Sequence, residues 1–350
     1  MKTQGTWRLL GLGWLMLSVA CSEPLEDSAT RPSPGPLRWS KVQALGPSAR
    51  WGARALWDSK RQRMLLFGGV SVRRFGDLWA FDLRTQQWTE LTQAQGPSPR
   101  DTGLFVLHPS GDRAFYYGGR PGTHADAELW SLDLTSDTWT RLGEGPPGRF
   151  EFGHAVHGNR VWLYGGNLLH GVETDELWEM DLSSATFRKL PVGYYVPPKS
   201  TSPGLSAMEG ALYLTGGHDN AGRTGFGTWK YDLRRSAWEP VTMEGSLPAE
   251  AHFAYVADPA CSELLLHGGD NSDGQDRTEL VAWSPTQSKL AVLPTEGEQP
   301  APRRHHAAVW VPEQRTLVLF GGWAGIMPTD TFFDDTWTLK VPGCAFSPGD

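Results

Sequence analysis

The chain has 350 residues and a formal net charge of −7, with 17 tryptophans, 41 glycines and 3 cysteines. No lysine–arginine cluster stands out against that acidic balance, which argues against nucleic acid or an anionic membrane surface as partner. No long helical periodicity appears after residue 20, so the chain reads as strands and turns.

In chain order, the first segment is a charged start at Lys2 and Arg8, an apolar run over residues 9–17, and Ser18-Val19-Ala20 before Cys21. This has the form of a secretory signal over residues 1–20, too short to span a bilayer. The string Leu17-Ser18-Val19-Ala20-Cys21 resembles a bacterial lipobox, which implies lipidation of Cys21 and an outer-membrane address in a bacterial cell envelope. Residues 22–37 are rich in proline, serine and acidic side chains and read as a flexible tether.

Six glycine pairs then punctuate the chain: Gly68-Gly69, Gly118-Gly119, Gly165-Gly166, Gly216-Gly217, Gly268-Gly269 and Gly321-Gly322. Their spacing is 50, 47, 51, 52 and 53 residues, a period that marks a repeat architecture. Each unit has a first strand opened by a polar corner, such as Pro99-Arg100 or Pro302-Arg303, and an apolar second strand running into the glycines. A variable loop leads to a third strand such as DLWAFDL or ELWSLDL, and a tight turn to a fourth centred on Trp88, Trp139, Phe187 or Trp238. The period-2 alternation predicts an antiparallel four-stranded meander in each unit. Asp82, Asp133, Asp181 and Asp232 are placed to cap the turn between third and fourth strands. Unit four lacks the corner arginine, and unit five has Val281 in place of the third-strand tryptophan.

This arrangement resembles the kelch repeat family across residues 38–341, which implies an all-β, six-bladed β-propeller. Unit six ends at Val341 without a fourth strand, and residues 38–43 copy the fourth-strand pattern ahead of unit one. The N-terminal strand is therefore expected to complete blade six, with the propeller over residues 38–344 and a short tail over 345–350. Cys261 and Cys344 fall in turns on one face of neighbouring blades, where a disulfide is expected.

The opposite face collects the interblade linkers and the loops after each glycine pair, the usual binding surface of such propellers. Candidate ligand residues there are Arg50, Arg100, Glu151, His218, Arg303 and Trp323, with Arg73-Arg74 in the first long loop. Converging arginines suit a carboxylate or acidic sugar. The competing reading makes them scaffold, because the position recurs. His305-His306 alternate across a strand, so one of them faces the blade interior. The run from Asn271 to Asp276 lacks the ligand register of a calcium loop, and no metal or cofactor is expected. No nucleophile elbow, phosphate loop or His-Glu-x-x-His motif occurs. The expected function is an envelope lipoprotein binding a protein or glycan through this face. The alternative is a periplasmic mutarotase or epimerase for acidic sugars, similar to the sialic-acid mutarotases, with Glu151 as its catalytic carboxyl beside Arg100 or Arg303. Oligomeric state is not encoded in any motif.

Overall fold

In each repeat, a run of apolar residues is followed by two glycines and then by a strand of alternating burial. The computed structural model describes residues 35–91, 93–168, 171–271, 273–325 and 330–346. The leader, Cys21 and nearly all of the tether lie outside the described residues. Blade one pairs β2 (Arg54–Asp58), β3 (Arg63–Phe67), β4 (Leu78–Asp82) and β5 (Gln87–Leu91) in sequence order, all antiparallel. Blades two to five repeat that order from Leu104, Gly153, Gly204 and Ala254. The chain folds as a six-bladed all-β propeller.

Blade six is assembled from both ends of the fold. The strands Ala307–Val311, Thr316–Phe320 and Thr336–Lys340 are completed by β1 (Leu37–Lys41), which pairs Trp39 with Leu339 and Lys41 with Trp337. Beyond β1 lies a two-residue strand, Thr295–Glu296, running parallel to Leu37–Arg38. That fifth strand was not foreseen: it belongs to the linker after blade five, held by Leu37 N–H on the Pro294 carbonyl at 2.8 Å and by an Arg38–Glu296 ion pair.

Two layers hold neighbouring blades together. The first is backbone: the N–H of the second glycine of each pair donates to the corner carbonyl of the next blade, from Gly69 on Arg100 at 2.8 Å round to Gly322 on Arg50 at 2.9 Å. The first glycine has to be glycine. At Gly68, with φ +72°, a Cβ would sit 2.4 Å from that same Arg100 carbonyl oxygen.

The second layer is aromatic. The fourth-strand ring of one blade packs on the residue before the glycine pair of the blade preceding it. Trp139 meets Phe67 at 5.2 Å, Phe187 meets Tyr117 at 5.1 Å and Trp238 meets Tyr164 at 5.3 Å. Trp88 meets Phe320 at 5.3 Å, and Trp39, supplied by the N-terminal strand, meets His267 at 5.0 Å. Each such ring pair adds about 0.5–1.5 kcal/mol beyond its burial.

The turn aspartates cap as their position requires. Asp82 accepts from the Thr85 N–H at 2.8 Å, and Asp133, Asp181 and Asp232 each accept from two successive backbone N–H groups. On this face Cys261 and Cys344 form a disulfide with Cα atoms 5.3 Å apart. Glu263 accepts the N–H of Ala345 and Phe346, so packing continues past Cys344 into the expected tail.

Replacing Trp39 by Ala removes the ring that closes the circle and leaves a cavity between blades five and six. Urea unfolding of Trp39→Ala is expected to show a loss of about 3–5 kcal/mol. An unchanged midpoint would mean that β1 is dispensable for closure.

Candidate functional site

The corners that open each blade turn the chain from the rim into the channel. There Gly52, Thr102, Glu151, Ser202, His252 and His305 occupy equivalent positions, all left-handed, with φ between 52° and 67°. The N–H groups of Gly52, Thr102, Glu151, Ser202 and His305 each donate to the preceding corner's carbonyl at 2.6–3.1 Å, stitching a ring around the channel mouth.

Two residues before each of these sits the corner side chain. Arg50, Arg100, Arg149 and Arg303 are no more than 1 % exposed. Each bonds the carbonyl of the first glycine of its own blade: Arg50 to Gly68 at 3.0 Å, Arg100 to Gly118 at 3.2 Å, Arg149 to Gly165 at 3.4 Å and Arg303 to Gly321 at 2.9 Å. Each also pairs with a carboxylate at or just ahead of the start of the third strand, respectively Asp77, Glu128, Glu176 and Asp335. That carboxylate accepts in turn from the indole of the third-strand tryptophan two residues on, at 2.8–3.0 Å. Arg50, Arg100 and Arg303 therefore do not line a ligand site as expected. The corner directs them between strands, where every guanidinium nitrogen bonds scaffold. Blades four and five lack the arginine, and the Trp229 indole bonds the Phe226 carbonyl instead.

Glu151 is buried in the corner ring, far into the channel mouth, and burial pushes its carboxyl above the usual range against the pull of His252 and Arg120. The structure does not bring it together with Arg100 or Arg303 as a catalytic pair, since both guanidiniums are committed elsewhere. His218 stands at the mouth, its ring 4.4 Å from that of His252, with its nitrogens on Thr201 Oγ1 at 2.8 Å and the Asp219 carbonyl at 3.0 Å. Burial lowers it to about 4. Asp273 caps a turn by accepting the Gln275 N–H at 2.9 Å, as a solvated loop would. His306 turns into the blade against His267 at 3.1 Å, while His305 stacks 4.2 Å from His252.

Trp323 is the predicted residue that does reach a pocket. A cavity of about 440 Å³ opens on the loop face between blades six, one and two, lined by Trp51, Val70, Val72, Arg74, Trp323 and Phe332, with Arg120 and Asp330. The buried Asp101 holds both arginines, Arg74 at 2.8 Å and Arg120 at 3.1 Å, so two half-exposed guanidiniums share one carboxylate. Arg120 Nε, Trp323 Nε1 and Asp330 Oδ1 are sealed from solvent and have no hydrogen-bond partner among the described residues. The lining thus combines an apolar floor with the guanidiniums of Arg74 and Arg120 and the Asp330 carboxyl. Sequence reading missed Trp51, Arg120 and Phe332. The signal was there in Trp51, an aromatic at a corner, outside the scaffold positions of strands three and four.

The geometry defines a kelch-type propeller with its pocket on the loop face. The chain belongs to the KLHDC2/KLHL20/DRC7 Kelch-repeats domain family, which it matches over residues 33–217 and 205–347. It is 23 % identical over 312 residues to the flagellar outer-arm dynein alpha chain of Chlamydomonas reinhardtii, covering 83 % of this chain and 6 % of that one. It is 29 % identical over 219 residues to tip elongation aberrant protein 1 of Schizosaccharomyces pombe, covering 57 % and 19 %. Human host cell factor 2 is 24 % identical over 269 residues, covering 68 % and 33 %. The chain thus spans only a minor part of each of these relatives. All three are eukaryotic proteins and none is described as an envelope protein. The expected identity as a bacterial outer-membrane lipoprotein, with a secretory signal and Cys21 as anchor, is corrected by these matches. It rested on residues 1–21, against a likeness that runs the length of the propeller.

The corner pairs make a pH prediction. Burial opposes ionisation of Glu176, but hydrogen bonds from Lys189, Trp178 and Arg149 outweigh it and hold the carboxyl at about 2. A depressed carboxyl contributes stability above its unfolded pKa of ~4.3, and that contribution is lost as pH falls towards 2. Arg149→Gln is expected to cost about 2–3 kcal/mol near neutrality, less than for a fully buried pair because Glu176 keeps a solvent-facing side. The deficit should shrink below pH 3. A deficit independent of pH in urea titrations would exclude the ion pair as its source.

Proposed function

We propose that the chain is a protein-binding module that holds a partner segment on its loop face, with an apolar side chain of the partner seated in the Trp51–Trp323 pocket. The observation that carries this reading is the pocket lining: an aromatic floor edged by two guanidiniums and a carboxyl, the complement of a peptide offering carbonyl, N–H and an apolar side chain. The surroundings support it. Leu45 (97 % exposed), Val72 (94 %) and Tyr194 (92 %) all stand on linkers or loops of this same face, as does Tyr195. Of these, Val72 lines the pocket itself and extends its apolar floor towards solvent.

A glycan is less well served. Sugar rings stack on open aromatic faces, whereas the Arg304 guanidinium lies 4.0 Å over Trp323 and Arg120 lies 5.6 Å from the Trp51 ring. The opposite face is ion-paired, with Arg63 joining Asp58 to Asp137 and Arg315 joining Asp258. Arg74 and Arg120 are balanced by Asp101 and Asp330, so the pocket selects its anchor by the apolar side chain more than by charge.

Selection of peptides from a displayed random library against the full chain tests this. Peptides sharing an apolar anchor are expected, and Trp323→Ala or Arg120→Ala should weaken them at least about tenfold. Lys60→Ala on the opposite face should leave affinity unchanged. Selected peptides indifferent to both pocket substitutions would refute the reading.

A further inference from the structure

A second chamber lies inside the channel, beneath the corner ring and separate from the surface pocket. It measures about 90 Å³ and is lined by Arg54, His154, Ser202, His252, Tyr255 and His305. Its floor is a crossing of the channel: the Tyr255 hydroxyl on blade five donates to the His154 carbonyl on blade three at 2.9 Å and accepts the His154 N–H at 2.9 Å. His154 and Tyr255 also line a larger space of about 240 Å³ below, so the crossing divides the channel in two.

Arg54 is the anomaly in this chamber. Every corner arginine has a carboxylate, as described above. Among the described residues Arg54 makes no ion pair, and its Nε, sealed from solvent, has no hydrogen-bond partner. A half-buried guanidinium without a counter-charge attracts any anion that fits beside it. Its neighbours do not cancel it. Burial pushes His154 to about 3 and His305 well below the usual range, so both imidazoles are neutral and each keeps one N–H to donate. Glu151, the carboxyl in its field, is pushed up by burial.

We infer that this chamber binds one small oxyanion, gripped by the Arg54 fork with the Ser202 hydroxyl and an imidazole N–H completing its shell. Two parallel N–H bonds from a guanidinium match two oxygens of a carboxylate or a tetrahedral oxyanion. A cavity of that size admits a small oxyanion of about four or five heavy atoms. Phosphate, sulfate and acetate share the required chemistry.

The test titrates the full chain with each of these three anions at constant ionic strength balanced with chloride, by calorimetry and thermal unfolding. One anion per chain is expected, with saturable stabilisation. A phosphate or sulfate response assigns a tetrahedral oxyanion, and an acetate response a carboxylate. Arg54→Gln should weaken binding at least about tenfold. Glu151→Gln should bind as tightly as the parent or more so. No saturable response to any of the three, or an equal response in Arg54→Gln, overturns the inference. If Arg54→Gln does not fold, Arg54→Lys keeps the charge and loses the fork. It should bind about tenfold more weakly, and an unchanged affinity would equally overturn the assignment.

Discussion

The hydrogen bond from the second glycine of each pair to the corner carbonyl of the next blade is the constraint on which this propeller depends. It occurs at all six seams, and the one from Gly322 to Arg50 joins the last blade to the first. Because donor and acceptor are both backbone, the spacing of blades is set without reference to side chains. The corner residue can then be arginine in four blades, Ser200 in one and Glu250 in another while the bond persists. The glycine before it has no such freedom, since its Cβ would meet the accepting carbonyl oxygen at every seam, from 2.3 Å at Gly216 to 2.7 Å at Gly118 and Gly321.

Side chains then grade the seams. Five have a ring from the fourth strand on an aromatic or histidine of the preceding blade. The seam between blades four and five has Thr215 at that site, bonded to Thr228 at 3.0 Å, and Leu290 where the ring would stand. Trp283 fills part of the space from the third strand, at a position shifted by two residues from Val281. The seam poorest in ring contacts is therefore not the one where the chain ends meet. Closure gains Trp39, Trp337 and the disulfide at Cys261, so a ring that must be shut by a non-contiguous strand is reinforced there.

What was legible in the sequence follows from which interactions are periodic. The glycine pairs, the turn aspartates and the fourth-strand aromatics recur because each serves a seam or a turn that recurs, and so blade number and closure by residues near Trp39 could be read directly. The arginines recur as well, and that recurrence was the sign of their scaffold role. Their direction was not readable, because it depends on the left-handed corner that follows them. The pocket was hidden for the opposite reason. Trp51, Arg120 and Phe332 come from a corner, a loop start and a hairpin in three different blades, and only the curvature of the ring brings them together. Nothing in their spacing repeats. The short strand at Thr295 was likewise out of reach, being two residues of linker with no alternation to betray it.

The corner ring itself carries an argument about where side chains matter. A left-handed conformation costs a non-glycine residue about 1–2 kcal/mol, and glycine would adopt it freely. Only Gly52 uses that escape. Thr102, Glu151, Ser202, His252 and His305 hold φ of 52–56° with side chains in place. Ser202, His252 and His305 all face the chamber beside Arg54. Backbone geometry alone would be served better by six glycines, as the seams are by their pairs. The strain is therefore tolerated at the level of the side chains, which are polar at every corner except the glycine. They project where the channel narrows over an unpaired guanidinium. Scaffold and site are thus separated within three residues of each repeat: the corner side chain anchors the blade, and the side chain two positions on gives the channel its chemistry.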